Sequence, residues 1–410
     1  MTEVIDYLFL IEHEDREGQL VRLLTSMLND KGFSCKVLSI EFHLHLINRY
    51  SPRVLVFPYA IDSSRYPLCI FHGARFSRTK FVSLNWEQLL SASNKKFKSP
   101  KCDIVKNRVH HLAWDDEFKV FLEESGVSSD KVTVIGNPNV ELLYKAMAST
   151  KEDIVSAKLK LGLQPNASII FFPMNYGWAF STDTVIRGKI KQGYDCSVAW
   201  EYRDYSYQCL VEFVSFVSSL SKTYNNAQIV IRPHPSISIE QYIDVFKKLN
   251  VSIPSNLKIT KSYTVKEWMA VSDIVGSSWS TTVWDCHQMG IPAFLFTPIK
   301  RPVWLNIGWN DQVNNISSVE QFVELFVAKG SSVSAEFKYI DNIFKWLLSV
   351  NDVNNSELLG YNFLNDFNFK TSLYKARCGL RCFSAKYLNG IFVSKGAMRD
   401  YFDVRSDFRK

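Results

Sequence analysis

Apolar positions along the chain alternate between short unbroken runs and stripes at helical spacing. Val4–Ile11 is an apolar run of the length of a buried strand. A polar break follows, Glu12-His13-Glu14-Asp15-Arg16-Glu17-Gly18, and then a helical stripe of Leu20, Leu23, Leu24, Met27 and Leu28 closed by Lys31-Gly32. Cys35–Ile40 and Arg53–Pro58 read as the next strands. Strand, helix, strand in this order predicts a parallel sheet with covering helices. Shorter runs at Lys80–Leu84, His110–Trp114 and Val132–Ile135 continue the sheet, and a helix is predicted at about 139–148. Leu163-Gln164-Pro165-Asn166 reads as a linker after a Lys/Asp-rich stretch at 150–160.

The same alternation then starts again. Ser168–Phe172, Gln228–Ile231, Leu257–Thr260, Asp273–Gly276 and Ala293–Phe296 read as strands. Gln208–Tyr224, Ile239–Leu249, Thr264–Val271 and Thr281–Met289 read as helices, and 173–207 as a long loop. The pattern predicts an α/β protein of two Rossmann-like, doubly wound domains facing a cleft. Residues 1–160 form the first and 161–330 the second. Residues 331–410 form a helical C-terminal extension. Ligands in such sheets bind beyond the carboxyl ends of the strands.

Two loops at those ends have the side chains for chemistry. In Ile231-Arg232-Pro233-His234-Pro235 a strand delivers a cation and an imidazole between two prolines, which stiffen the loop and aim its side chains. The turn Gly276-Ser277-Ser278-Trp279-Ser280-Thr281-Thr282 sets five hydroxyls at a helix start, more than a single N-cap needs. Free backbone N–H groups and hydroxyls there suit an anion. Converging on one ligand, the loops predict a phosphate-bearing molecule held by Arg232, His234, Pro235, Ser277, Ser278, Ser280, Thr281 and Thr282.

Arg-Pro-His-Pro, the Ser/Thr-rich turn and Gly290-Ile291-Pro292 before a strand resemble, in this order, the C-terminal domain of GT-B glycosyltransferases. The nearest resemblance is to bacterial Kdo transferases of capsule and lipopolysaccharide synthesis and to polysialyltransferases. In the first half, Val82-Ser83-Leu84-Asn85-Trp86-Glu87-Gln88, His111-Leu112-Ala113-Trp114 and Val132–Pro138 resemble segments of surface-carbohydrate biosynthesis proteins. The resemblance spans about 1–300. It implies transfer of an acidic, Kdo-like sugar from a CMP-sugar to a surface polysaccharide or lipopolysaccharide acceptor. The nucleotide-sugar donor is then a substrate, and no cofactor or metal is expected. Open alternatives are a UDP-sugar or CDP-polyol donor, an epimerase of the same fold, and a non-catalytic nucleotide- or glycan-binding scaffold.

Transfer also needs a carboxylate, as base or as nucleophile. The 173–207 segment offers Glu201 and Asp204 first, then Asp195. Glu12, His13 and Glu14 are a rival set, His110 and His111 read as structural, and His72 is undecided.

Composition narrows the setting. The chain of 410 residues has 46% hydrophobic and 22% charged residues, a globular balance. No run of about 20 apolar residues suits a membrane span, and Glu3 and Asp6 argue against a signal peptide. The eight scattered cysteines read as reduced thiols, so a cytoplasmic protein is expected. The net charge of +7 lies entirely in 370–410, with ten Lys/Arg, three Asp and interleaved aromatics. That tail either packs across the domains with its lysines in water or docks on the inner face of the cytoplasmic membrane. No nucleic-acid motif is present.

Overall fold

The computed structural model describes residues 3–12, 14–61, 79–86, 88, 90–191, 193–234, 236–327, 337–352 and 370–387. In chain order, the first sheet and its helices are β1 (Glu3–Ile11), α1 (Gln19–Asp30), β2 (Cys35–Ser39), β3 (Tyr50–Phe57), β4 (Lys80–Ser83), β5 (Val109–Ala113), α2 (Asp116–Glu124) and β6 (Val132–Val134). Two helices follow, α3 (Pro138–Glu152) and α4 (Ile154–Lys160). The second sheet runs through β7 (Ile169–Met174), α5 (Asp183–Lys191), α6 (Cys196–Thr223), β8 (Gln228–Pro233), α7 (Ile239–Lys248), β9 (Leu257–Ile259) and α8 (Val265–Val271). It continues with β10 (Ile274–Ser277), α9 (Thr281–Gln288), β11 (Ala293–Phe296), β12 (Asn314–Ile316) and α10 (Val319–Val327). The helices α11 (Tyr339–Asp352) and α12 (Lys370–Tyr387) close the described chain.

Each sheet has six parallel strands, ordered β2-β1-β3-β4-β5-β6 and β12-β11-β10-β7-β8-β9. Both orders reverse direction partway across, the mark of a doubly wound sheet. The central strands are buried on both faces, which is why they read as apolar runs without alternation. All six residues of β7 are buried, and so are Tyr7–Ile11 of β1.

The chain divides into two compact units, 1–88 with 98–138 and 338–410, and 89–97 with 139–337. The boundary at 138/139 lies earlier than the 160/161 read from sequence. α4 is tied to the second unit: Lys160 pairs with Glu267 at 2.8 Å, the Tyr263 hydroxyl donates to the Lys160 carbonyl, and Lys258 Nζ donates to the Leu161 carbonyl at 2.8 Å. The tail also divides, because α11 and α12 return to the first unit. The Tyr7 hydroxyl donates to the Leu347 carbonyl at 3.0 Å, and Lys80 donates to that of Val350. Ile340, Ile343 and Leu347 are buried. Gly136, at φ +89°, leaves room for the Tyr339 ring, which a Cβ there would strike at 2.0 Å.

A second difference bears on the site. The long helix of the second unit begins at Cys196, so 173–207 holds α5 and the first turns of α6 rather than one loop. Its buried stripe runs through Ala199, Tyr202, Tyr205, Ser206 and Cys209 before reaching Leu210 and Phe213. Aromatic, hydroxyl and thiol residues make its first half, so an aliphatic pattern shows only the second.

Candidate functional site

In the second sheet, order reverses between β7 and β10, and the loops leaving those strands form the candidate site. β10 ends in Gly276-Ser277. A Cβ on Gly276 would lie 2.3 Å from the Phe294 ring and 2.7 Å from that of Phe172, so only glycine lets β10 pass between them. The Ser277 hydroxyl donates to the Pro173 carbonyl on β7. On the other side of β7, the register pairs Pro173 with Arg232. Ser277 and Arg232 thus flank one residue of the central strand.

Ser278 follows, 1% exposed, and its hydroxyl has no hydrogen-bond partner among the described residues. An unpartnered buried hydroxyl is costly unless something else meets it. Ser280 caps α9: its Oγ accepts from the Thr282 N–H at 3.2 Å and lies 2.9 Å from the Thr282 hydroxyl. Thr281 opens the helix. The five hydroxyl residues therefore divide the work. Ser277 braces the strands, Ser280 and Thr282 form the cap, and Ser278 is left to a further partner.

The Arg-Pro-His loop divides similarly. Arg232 is buried, and its Nε and Nη2 donate to the Tyr263 carbonyl at 3.2 and 3.0 Å. Tyr263 sits at φ +62°, a left-handed conformation that a bulky residue adopts only when held. Arg232 is thus a positioning group for the turn between β9 and α8. His234 is exposed, and its Nδ1 accepts from the Ser236 N–H at 3.3 Å beside the Ser236 hydroxyl at 2.8 Å. That bond assigns the proton of the neutral ring to Nε2. Pro235 lies outside the described residues. Beside this edge, burial lowers the pKa of Lys266 in the first turn of α8, while the nearby charge of Asp285 on α9 opposes the shift. A lysine inside a helical stripe reads as solvated, so sequence gave no signal for it.

The three carboxylates proposed for chemistry all lie at the start of α6, on a helix rather than in a loop. Asp195 is its N-cap, accepting from the Ser197 hydroxyl at 2.6 Å and the Val198 N–H at 3.1 Å, and these bonds lower its pKa. Asp204 is exposed and pairs with Arg203 at 3.2 Å, and Arg203 also grips Asp183 at 2.6 Å. Glu201 is exposed, with no hydrogen bond or ion pair to a described residue. Among the described residues nothing joins the three into one constellation.

The aromatics of the 173–207 segment join those of the same turns in one group, a clustering that sequence does not show. Trp178 stacks on Tyr202 at 4.6 Å, Tyr202 meets Trp304 at 5.0 Å, and Trp279 meets Tyr176 at 5.4 Å. Lys189 lies 4.4 Å over the Trp178 ring, its pKa lowered by burial. The buried hydroxyls of Tyr176 and Ser206 have no partner among the described residues. The density of aromatics in 176–207 was the available signal.

In the first unit, the rival acids belong to a polar network after β1. Glu12 accepts from the Tyr59 hydroxyl at 2.6 Å and pairs with Arg16 at 2.7 Å, and Glu14 pairs with Arg22. His13 and His72 lie outside the described residues. His111 is buried, with Nε2 2.9 Å from the Val105 carbonyl and Nδ1 3.3 Å from Asn85. No three His, Cys, Asp or Glu among the described residues are grouped as metal ligands.

No family model matches the sequence, and no curated protein does either. Solved structures do match. UDP-GlcNAc 2-epimerase from Neisseria meningitidis, bound to UDP-GlcNAc, aligns with TM-score 0.55 and 12% identity over 85% of this chain and 100% of that one. UDP-GlcNAc 2-epimerase from Methanocaldococcus jannaschii, in complex with UDP-GlcNAc and UDP, aligns with TM-score 0.52 and 11% identity over 84% and 99%. The Wall Teichoic Acid Polymerase TagF, with CDPG, aligns with TM-score 0.53 and 10% identity over 84% and 88%. With its two parallel six-stranded sheets, the chain has the two-domain, Rossmann-like GT-B fold. At these identities the likeness is one of fold.

Proposed function

We propose that the chain is a glycosyltransferase that takes an acidic, Kdo-like sugar from a CMP-activated donor and passes it to a surface polysaccharide or lipopolysaccharide acceptor. The observation behind this reading is the buried Ser278 hydroxyl beside the N-terminus of α9, a donor with no acceptor among the described residues, at a helix end that favours anions. The ordered Arg-Pro-His-Pro and serine motifs direct the choice to CMP. In this reading the α9 N–H groups and Ser278 meet the phosphate. Nε2 of His234 donates to it, and Arg232 keeps the adjoining turn in shape. These donors stabilise charge as it collects on the departing CMP. Of the three carboxylates, Glu201 is the one that neither caps a helix nor pairs with an arginine, so it is assigned the chemical step.

A thermal-shift panel of CMP, CDP, UMP, UDP and GDP tests the nucleotide. A ligand at about 100 times its Kd stabilises the folded state by roughly 2.7 kcal/mol. CMP should raise the midpoint selectively, and His234→Ala should remove that response without lowering the ligand-free midpoint. No response to CMP, or an unchanged one in the variant, would refute the assignment. A second reading, a nucleoside-diphosphate donor, is favoured by the UDP-GlcNAc and CDPG named with the structural neighbours. It predicts selective stabilisation by UDP or CDP instead.

A further inference from the structure

Lys189, on α5, is a half-buried cation without a counter-charge among the described residues. Its ammonium stands 4.4 Å over the Trp178 ring and 5.6 Å over that of Tyr194. Ring faces attract a cation but give its three N–H groups no oxygen to bond. No hydrogen bond or ion pair joins Lys189 to a described residue. The carboxylates on either side of it in sequence have other duties. Asp183, at the start of α5, is gripped by Arg203 at 2.6 Å, and Asp195 caps α6. Burial lowers the Lys189 pKa, as expected of a cation short of both water and an anion.

The lysine adjoins the candidate site. Trp178 lies in the turn that leaves β7, where strand order reverses, and it stacks on Tyr202 at 4.6 Å with the planes 16° apart. Tyr202 in turn meets the Trp279 ring at 5.7 Å, and Trp279 follows Ser278 in the chain. The rings of Trp178 and Tyr202 thus stand between Lys189 and the turn that opens α9. We infer that Lys189 receives the carboxylate of the donor's acidic sugar, beside the half-buried Trp178 ring. The assignment rests on the transferase reading and deepens it, naming the group that tells an acidic sugar from a neutral one. A phosphate at Ser278 is bonded to that sugar, so a cation two rings away meets the sugar rather than the same phosphate. A carboxylate supplies the acceptor that the ammonium lacks, in surroundings where a charged pair is screened less than in water. A neutral sugar leaves the cation as it is, and that difference is specificity.

The test measures the thermal midpoint of the full chain with CMP, CDP and CMP-N-acetylneuraminate, whose sugar bears a carboxylate. In the parent, CMP-N-acetylneuraminate should raise the midpoint beyond CMP, to the extent of binding about tenfold tighter. Lys189→Met keeps an unbranched stem on Trp178 and removes the charge. It should erase the extra rise and leave the rise with CMP unchanged. Each shift is taken from the variant's own ligand-free midpoint, so a loss of packing does not imitate the result. An extra rise that is absent from the parent, or equal in parent and variant, overturns the inference, and a retained CMP response then leaves the transferase reading standing. A variant that instead loses an extra rise with CDP also overturns it, because the lysine then meets a second phosphate. A parent that responds to none of the three ligands refutes both.

Discussion

His111 shows how a single buried residue acts on the whole first unit. Burial holds its pKa down at about 4, so the ring stays neutral in the folded protein. In the unfolded chain it takes a proton below its ordinary value of about 6.5. The stabilisation is therefore complete above about pH 6.5 and is lost as pH falls toward about 4, roughly 3 kcal/mol in all. His110 acts in the same direction: burial, then the Lys131 charge, lowers its pKa to about 4. Urea midpoints should fall between about pH 7 and pH 5, and His111→Gln should remove roughly half of that slope. A slope unaltered in the variant would disprove this account. At the same scale, Arg232 has a structural duty beside the one its motif suggests. Its motif suggests a phosphate ligand, yet two of its donors go to a carbonyl 31 residues away.

Among the elements, α6 separates capping from chemistry. Asp195 satisfies an N–H of its first turn, which alanine leaves unmet. Asp195→Ala should lower the thermal midpoint by about 2–4 °C and leave transfer per folded molecule unchanged. Glu201→Gln should do the reverse, abolishing transfer while leaving the midpoint and nucleotide response intact. Activity retained by Glu201→Gln would remove this residue from the mechanism, and activity lost with Asp195→Ala would reinstate the cap as a catalytic group. The start of α6 was illegible in sequence because its buried stripe consists of Tyr202, Tyr205, Ser206 and Cys209, types that serve equally in a polar loop. Its second half, with Leu210, Phe213, Val214, Val217 and Leu220, follows the ordinary apolar period, which predicts a helix there.

For the whole molecule, chain order and spatial order diverge at the C-terminal end. The chain leaves the first unit at Pro138, completes the second, and returns at Lys338 to lay α11 against α1 and β3. Leu347 is fully buried, and Trp346 meets His110 at 5.7 Å. A chain ended after Phe337 would uncover Tyr7 and the side chains under α11. Limited proteolysis of it should cut the first unit rapidly and leave the second largely protected. Equal resistance of both units would show that α11 is dispensable to the first.

The sequence by itself determined the local order: parallel strands, the turns between them, and the two loops at the carboxyl ends of β8 and β10. Those follow from apolar period, proline, glycine and hydroxyl content, all properties of neighbours along the chain. Tertiary structure alone decided which hydroxyl stays unpartnered, where Arg232 spends its donors, how early α6 begins and which unit receives α11. Each depends on an atom supplied by residues distant in sequence. The Pro173 carbonyl accepts from Ser277, the Tyr263 carbonyl takes two donors of Arg232, and no described residue hydrogen-bonds the Ser278 hydroxyl.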